Sequence, residues 1–227
     1  MSAMVVSVRL FAGLRERAGA DRVQLELPDG ARVADVLAAM EGTAVGPLAP
    51  RQCVVAVNRE YAAPDEPVHP GDEVALVPPV SGGAVAGPSD AVRAVRVTGE
   101  PLDLTALAAA VRDPRAGAVV LFEGVTREVR ELRYEAYAEM AEPRMRAIAA
   151  EEAERHGLCA VAVEHRTGAV ALGEPSVIVA VSAPHRGEAF AGARAVIDRV
   201  KAEAPIWKQE VTPEGTRRVE GTLPPAP

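Results

Sequence analysis

The stretch Glu73–Gly83, EVALVPPVSGG, decides how this sequence of 227 residues is divided into domains. A strand-like run, Glu73–Val77, ends at two prolines, and Gly82 and Gly83 close the stretch. Because glycine has no Cβ, two glycines can lie extended in a channel too narrow for other residues, which suits a tail that carries a reactive carboxylate. Gly and Pro clusters also mark loops, so a flexible linker between domains is the alternative interpretation.

The residues before this stretch predict a small α+β domain. Alternating apolar residues indicate strands over Met4–Phe11, Arg22–Leu27, Val54–Val57 and Glu73–Val77. Apolar residues at helical spacing indicate a helix over Val33–Met40. The order strand, strand, helix, strand, strand fits a β-grasp domain, although other small α+β folds share it.

The residues after this stretch predict a second α+β domain, large enough for its own core. The predicted strands are Val92–Thr98, Ala118–Val125, Arg133–Tyr137, Ala160–Arg166, Ser176–Ser182 and Ile206–Val211. The predicted helices are Leu104–Val111, which Asp103 can cap, Glu142–His156 and Arg186–Ala204, which Pro205 ends. The buried face of the last helix is expected to include Phe190, Ala193, Ile197 and Val200. We therefore predict a first domain over 1–83, a linker with a cleavage site over 84–89, and a second domain over 90–227.

The composition favours a soluble cytoplasmic protein. The formal charge of −7 argues against general nucleic-acid binding, which needs a basic face. No run approaches the about 20 apolar residues of a membrane span. Cys53 and Cys159 lie in apolar contexts without metal-ligand spacing, so we expect buried thiols in a reducing compartment and no bound metal or other cofactor.

Lys201 and Lys208 carry the strongest indication of chemistry. Lys201 lies in the last turn of the predicted helix, and Lys208 lies just past Pro205 on a predicted strand. A helix end followed by a strand can direct both side chains into one pocket, where neighbouring ammonium groups become usable as acids, bases or nucleophiles. The alternative interpretation is that Lys201 only complements the helix dipole.

Four further residues are candidates for binding an anionic substrate. His185 and Arg186 begin the long predicted helix, whose free N–H groups favour an anion. Arg127 follows a predicted strand, and Arg217 follows a turn near Pro227. An ordinary polar helix start and solvated arginines are the alternatives. His165 shows no partner pattern and is expected to be structural or exposed.

Together these segments resemble a known family. Residues 1–83 are similar to the ubiquitin-like sulfur-carrier subunit of molybdopterin synthase, and residues from about 90 to 222 are similar to its catalytic subunit. The motifs that carry the resemblance are Pro78–Gly83, Phe122–Arg127, Tyr134–Tyr137, His185-Arg186, Lys201–Glu210 and Thr212–Gly215. The resemblance implies an α+β protein with an N-terminal ubiquitin-like β-grasp domain followed by an α/β-hammerhead-type catalytic domain.

The resemblance also implies a reaction and a set of residue roles. The family inserts two sulfurs, as a dithiolene, into cyclic pyranopterin monophosphate, and the sulfur arrives as a thiocarboxylate on the terminal glycine, here Gly83. By resemblance, Lys208 assists sulfur transfer as a general acid or by stabilising the acyl adduct. Lys201 orients the thiocarboxylate and the departing oxygen. The substrate phosphate and pterin are expected to be held by Arg127, His185, Arg186 and, across a dimer interface, Arg217.

The sequence departs from the family pattern at two places in the catalytic half. Only six residues separate Arg127 from Tyr134, where relatives carry a longer loop, and this leaves the roles of Arg130 and Arg133 open. Arg218 stands where relatives often have an aromatic residue.

The third departure is the fusion of the two subunits. Gly83 is joined to Ala84 by an amide and has no free carboxylate, so we expect cleavage between them before activity. The short stretch over 84–89 would be accessible to a protease.

The resemblance implies two partners besides the substrate. One is an ATP-dependent enzyme that adenylates Gly83 and loads it with sulfur, and the other is a second copy of the chain, bound through the catalytic domain; neither nucleic acid nor a membrane is implied. Two other classes remain: a carrier whose second half is a non-catalytic docking domain, and a structural fusion that never accepts sulfur. The lysine pair argues against a docking domain, because docking does not require it.

Overall fold

The computed structural model describes residues 3–46, 53–77, 90–212 and 215–218, which fall into two compact units. The first unit lies within residues 3–77 and the second within residues 90–218. Each unit has its own hydrophobic core, so each is described by itself.

The first unit is a five-stranded sheet with two helices. Its elements are β1 (Ala3–Leu10), α1 (Ala12–Ala18), β2 (Arg22–Pro28), α2 (Val33–Met40), β3 (Val54–Val57), β4 (Glu60–Ala62) and β5 (Val74–Val77). The strand order is β2-β1-β5-β3-β4, with β1 and β5 parallel and the other pairs antiparallel. This arrangement is the β-grasp fold that the sequence predicted.

The alternation of β1 builds the core of this unit. Met4, Val6, Val8 and Leu10 are all buried on one face of the strand, as the sequence predicted, whereas Val5 on the other face is exposed. The short strand β4 is an addition to the predicted strands, since the polar run Asn58-Arg59-Glu60 before it is typical of a turn. Cys53 is a free, half-buried thiol at the start of β3, and burial raises its pKa to about 11.

The second unit contains three helices and eight strands among its described residues. Its elements are β6 (Val92–Thr98), α3 (Leu104–Ala110), β7 (Ala118–Val125), β8 (Glu131–Ala136), α4 (Ala138–His156), β9 (Ala160–Arg166), β10 (Gly168–Ala171), β11 (Pro175–Ala183), α5 (Arg186–Glu203), β12 (Ile206–Thr212) and β13 (Gly215–Arg218). They form two four-stranded sheets, with orders β6-β9-β11-β7 and β10-β8-β12-β13. The α+β prediction is confirmed for both units.

The first of these sheets has helices on both faces. Val161, Val177 and Val179 pack against α4 and α5, while Ala162 and Ile178, on the opposite face of the same strands, pack with α3. The predicted cap of α3 is present, since the Asp103 carboxylate accepts hydrogen bonds from the N–H groups of the first turn at 2.8 and 3.0 Å. The central strands β9 and β11 are therefore buried on both sides.

Two predictions about the helices are wrong in detail. Helix α4 begins at Ala138, four residues before the predicted start at Glu142, so Pro143 lies inside the helix. Phe190 is exposed, with 63% of its surface accessible, and does not join the buried face of α5. Ala193, Ile197 and Val200 are buried as predicted. Gly192 is buried on the same helix and lies so close to Leu158 that an added Cβ would come within 2.7 Å of it.

Candidate active site

Lys201 and Lys208 are the two lysines of the sequence, and the other 23 of its 25 basic residues are arginines. Lys201 lies in the last turn of α5, with its ammonium 5.6 Å from the centre of the Phe122 ring on β7. An ammonium over an aromatic face is attracted by the ring quadrupole. The end of α5 is thereby set over one end of the sheet.

Lys208 lies on β12, directly opposite Tyr134 in the antiparallel pairing with β8. Directly opposed residues project to the same face of a sheet, with Cβ atoms about 4.5–5.5 Å apart. The side chain of Lys208 is therefore a cross-strand neighbour of Tyr134.

Tyr134 is fixed by contacts with two other strands. Its ring meets the His165 ring edge to face, with centroids 5.0 Å apart and planes at 69°. Its hydroxyl is 3.1 Å from the Ser176 hydroxyl, which in turn donates to the Gly124 carbonyl at 3.1 Å. Tyr134 therefore connects the strand of Lys208 with β7, the strand beneath Lys201.

His165 is buried beside this contact, with 7% of its surface exposed. The pKa of its imidazole is lowered to about 4, mainly by burial and in smaller part by the positive charge of Lys201, while a hydrogen bond to the Arg166 backbone opposes this shift. His165 is therefore neutral at neutral pH and lies within electrostatic reach of Lys201. The sequence placed His165 outside the site, and the alternation of β9 gave no signal to the contrary.

Arg127 lies at the same end of the sheet as the two lysines. It follows Thr126, whose N–H donates to the Glu174 carbonyl and whose carbonyl accepts from Gly173 N–H, at 3.0 and 2.9 Å. These bonds hold the end of β7 against the start of β11. The Arg127 side chain is 83% exposed and 3.7 Å from Glu128.

His185 and Arg186 lie at the other end of the sheet. β11 runs antiparallel to β7, and it ends at Ala183 opposite Ala118, the first residue of β7. His185 is the N-cap of α5, and both side chains are exposed. Fifteen residues of helix separate Arg186 from Lys201, which corresponds to about 22 Å along the axis. Within one chain, the predicted anion-binding pair and the lysines thus lie at opposite ends of α5.

The remaining candidate residues are only partly described. Arg217 pairs with Glu210 in the β12–β13 ladder, and Arg218 pairs with Gln209. Gly82, Gly83 and the linker over 84–89 lie outside the described residues. Of the two arginines left open, Arg133 donates to Glu131 at 2.6 Å, and Arg130 is exposed.

Buried charges hold α5 against α4. Arg199 of α5 lies 2.7 Å from both Glu152 and Glu203 and 2.6 Å from Glu151. Glu152 is fully buried, and Arg144 of α4 also pairs with Glu203. This cluster fixes the last turns of α5, which carry Lys201.

Two kinds of feature are absent from the described part of the chain. None of its helices is both long enough and apolar enough to cross a bilayer. No group of three or more metal-ligating side chains was found there either.

The fold and the site define a class: a ubiquitin-like β-grasp domain joined to an α+β domain that carries two lysines at one sheet end. Known families match both parts. The ThiS family matches residues 8–83, and the MoaE protein family matches residues 97–203. The chain belongs to the family of molybdopterin synthase catalytic subunits and carries a ThiS-family domain in front of that part.

Curated relatives support this assignment. The molybdopterin synthase catalytic subunit of Oryza sativa subsp. indica is 50% identical over 120 residues, which are 50% of this chain and 62% of the relative. That of Thermoplasma volcanium is 39% identical over 127 residues, which are 53% of this chain and 93% of the relative. The chain thus spans less than two thirds of the length of the rice relative.

Solved structures also support the assignment to this family. Molybdopterin synthase from Staphylococcus aureus superposes with a TM-score of 0.53 at 32% identity, covering 55% of this chain and 96% of that one. The molybdopterin biosynthesis MoaE protein from Burkholderia ambifaria gives a TM-score of 0.50 at 40% identity, covering 56% and 88%. These relationships support a role in molybdopterin biosynthesis.

Proposed function

We propose that this chain is both halves of a molybdopterin synthase, a sulfurtransferase that converts cyclic pyranopterin monophosphate to the dithiolene of molybdopterin. The observation that carries the proposal is the use of lysine: arginine is the basic residue at every position except 201 and 208. Arginine supplies positive charge but does not deprotonate, whereas lysine is able to transfer a proton. Two amines at one sheet end therefore fit proton-assisted group transfer.

The carrier half fits the same reaction. The ThiS family match ends at Gly83, the residue that would bear the thiocarboxylate. Each transfer forms a C–S bond on the substrate and breaks the C–S bond of the Gly83 thiocarboxylate, which returns as a carboxylate. Oxygen on the substrate is exchanged for sulfur, so the exchange consumes no oxidant or reductant. Two loaded tails are used for each product.

The two lysines would have different roles in this sulfur transfer. Lys208, beside Tyr134, assists transfer as a general acid or by stabilising the acyl adduct. Lys201, over Phe122, orients the thiocarboxylate and the departing oxygen. Arg127, at the same sheet end, binds the phosphate or pterin.

The remaining anion-binding residues would come from a second copy of the chain. His185 and Arg186 are separated from Lys201 by the length of α5, so one substrate can use both groups most readily when two chains share the site. The terminal strand β7 exposes Val119, Leu121 and Val125, an apolar surface that a second copy can cover. Arg217 would also act across this interface. An ATP-dependent enzyme would load Gly83 with sulfur.

Replacing Lys208 tests its proposed role in sulfur transfer. Lys208→Ala should slow dithiolene formation from loaded carrier and pyranopterin by about 10²-fold or more, since general acid catalysis contributes that much. Lys208→Arg separates the two roles, because arginine keeps the charge but gives up no proton. Loss of activity in both variants supports proton donation, and retention in Lys208→Arg supports charge stabilisation of the adduct. Full activity in Lys208→Ala would refute the proposed function of this site.

Mixing two inactive variants tests the shared site. Lys208→Ala and Arg186→Ala chains should each be nearly inactive, and mixed dimers should regain up to about a quarter to a half of wild-type activity, because one of their two sites is intact. The measurement is dithiolene formation after the two proteins are unfolded and refolded together. Each variant refolded alone is the control. No recovery in verified mixed dimers would place the complete site within one chain.

A further inference from the structure

We propose that Tyr134 and His165 form a positioning pair that sets Lys201 and Lys208 relative to each other. The inference rests on the proposed function, because it assigns these residues to the same sulfur-transfer site. Neither residue needs to contact the substrate. Both act through the lysines that they connect.

The imidazole of His165 is held in one state and one place. Its Nδ1 lies 2.9 Å from the Arg166 carbonyl oxygen. A carbonyl only accepts hydrogen bonds, so Nδ1 carries the proton and Nε2 does not. The ring is buried between strands, and its edge-to-face contact with Tyr134 fixes its plane.

Tyr134 joins this ring to both lysine-bearing parts of the unit. It is the direct cross-strand neighbour of Lys208. Its hydroxyl reaches the Gly124 carbonyl through Ser176. Gly124 lies two residues after Phe122, the ring beneath the Lys201 ammonium. A displacement of Tyr134 would therefore change the placement of Lys208 and Lys201 together.

A neutral imidazole at position 165 is compatible with the nearby ammonium of Lys201. A protonated imidazole would repel the ammonium of Lys201, whereas a neutral one tolerates it. His165, Val177 and Gly124 lie side by side across β9, β11 and β7. Phe122, two residues before Gly124, is on the same face, so the imidazole shares this face with the Lys201 ammonium, whose positive charge lowers the pKa of His165. On the side of α4, the Glu142 carboxylate accepts the N–H of Val97, the residue opposite His165 in the β6–β9 ladder, at 2.7 Å.

A double-mutant cycle tests the positioning role. His165→Ala should lower kcat by about tenfold, or about 1.4 kcal/mol, and leave KM for the pyranopterin unchanged within about twofold. Because His165 would act in part through Lys201, His165→Ala should slow Lys201→Ala by clearly less than the tenfold by which it slows the wild type in single-turnover measurements. His165→Phe keeps the ring contact with Tyr134 and should retain most of kcat. Effects of His165→Ala and Lys201→Ala that multiply in full, or an effect confined to KM, would overturn the proposal.

A second measurement does not depend on activity. NMR titration of His165 should show its pKa rising in Lys201→Met, since a nearby positive charge is removed, with a smaller change in Lys208→Met. Lys201 is exposed, so this variant is expected to fold. An unchanged His165 pKa in Lys201→Met would show that His165 and Lys201 are not neighbours, and it would overturn the positioning role even if the chain is a synthase. A correctly loaded wild-type chain that forms no dithiolene overturns the proposed function, whatever the titration shows.

Discussion

At the scale of single residues, the candidate site depends on neighbours that are distant in sequence. Lys201 lies near Phe122 and His165, and Lys208 lies opposite Tyr134. The sequence singled out the two lysines by their spacing around Pro205. It gave no reason to include His165, because a lone histidine in an apolar strand carries no partner pattern.

The buried imidazole of His165 predicts a loss of stability in mild acid. Its pKa is about 4 in the folded protein and about 6.5 when unfolded. Between these values the unfolded chain binds a proton that the folded chain does not, so stability is present above pH 6.5 and falls as the pH drops toward 4. From pH 7 to pH 5 the free energy of unfolding of the second unit should fall by about 2 kcal/mol from this group alone.

Chemical denaturation of wild type and His165→Gln at both pH values measures this contribution. Glutamine does not titrate, so the variant should lack this part of the pH dependence. An equal loss of stability in the two proteins would contradict the assignment of the effect to His165.

At the scale of elements, α5 determines the geometry of the site. The helix packs on the sheet through Ala193 and Val196, and Gly192 allows a close approach to Leu158, while Phe190 lies outside this face. Its first residues carry the anion-binding candidates, and its last turn carries Lys201. The ion pairs between α4 and α5 hold the end of the helix that carries this lysine.

The cluster around Arg199 should stabilise the second unit measurably. Arg199→Ala removes the partner that the fully buried Glu152 has in α5 and leaves it Arg155 at 3.0 Å. We expect a cost of about 2–3 kcal/mol, below that of a fully uncompensated buried charge. Arg194→Ala is the matched control. Arg194 pairs with Asp198 on the same helix at the i, i+4 spacing of Arg199 and Glu203, but the side chains of both partners are exposed.

Arg194→Ala should lower the free energy of unfolding by less than about 0.5 kcal/mol, because an exposed ion pair contributes little. Both values are obtained from urea unfolding of the second unit. Equal effects of the two substitutions would show that burial adds nothing to the Arg199 cluster.

At the scale of the whole molecule, the two units have separate cores and match separate families. Gly83 stands at the end of the carrier match and is joined to Ala84 in the encoded chain. A thiocarboxylate needs a free terminus, and a spent tail must leave before a second loaded tail enters. The proposed function therefore requires that the chain is cut after Gly83.

Intact mass spectrometry tests this requirement. In a host with sulfur-loading enzymes, the wild-type chain should yield a fragment that ends at Gly83, partly with one terminal oxygen replaced by sulfur. Ala84→Pro should prevent the cut, because proline after the scissile bond hinders most proteases, and should abolish dithiolene formation. Ala86→Pro, which leaves the Gly83–Ala84 bond unchanged, is the matched control. An uncut Ala84→Pro chain with full activity would contradict the requirement.

Local patterns were sufficient for most of the architecture. The alternation of β1, the cap at Asp103 and the stop at Pro205 each depend on residues adjacent in sequence, so the sequence determined them. The wrong predictions, the start of α4 and the burial of Phe190, concern residues whose local pattern is compatible with two structures. Pro143 is compatible with a helix start and with a helix interior, and Phe190 is apolar but lies beside the contact face.

The amino-acid pattern was enough to identify two α+β domains and the pair of lysines, while the boundary near Gly83 stays a prediction. Which residues meet at the site depends on the tertiary structure. The register of β8 with β12 places Tyr134 opposite Lys208, and the packing of α5 brings Lys201 near His165. The same helix separates His185 and Arg186 from the lysines. Strand register and helix packing are set by contacts between segments far apart in the chain, and these contacts have no signature in local spacing.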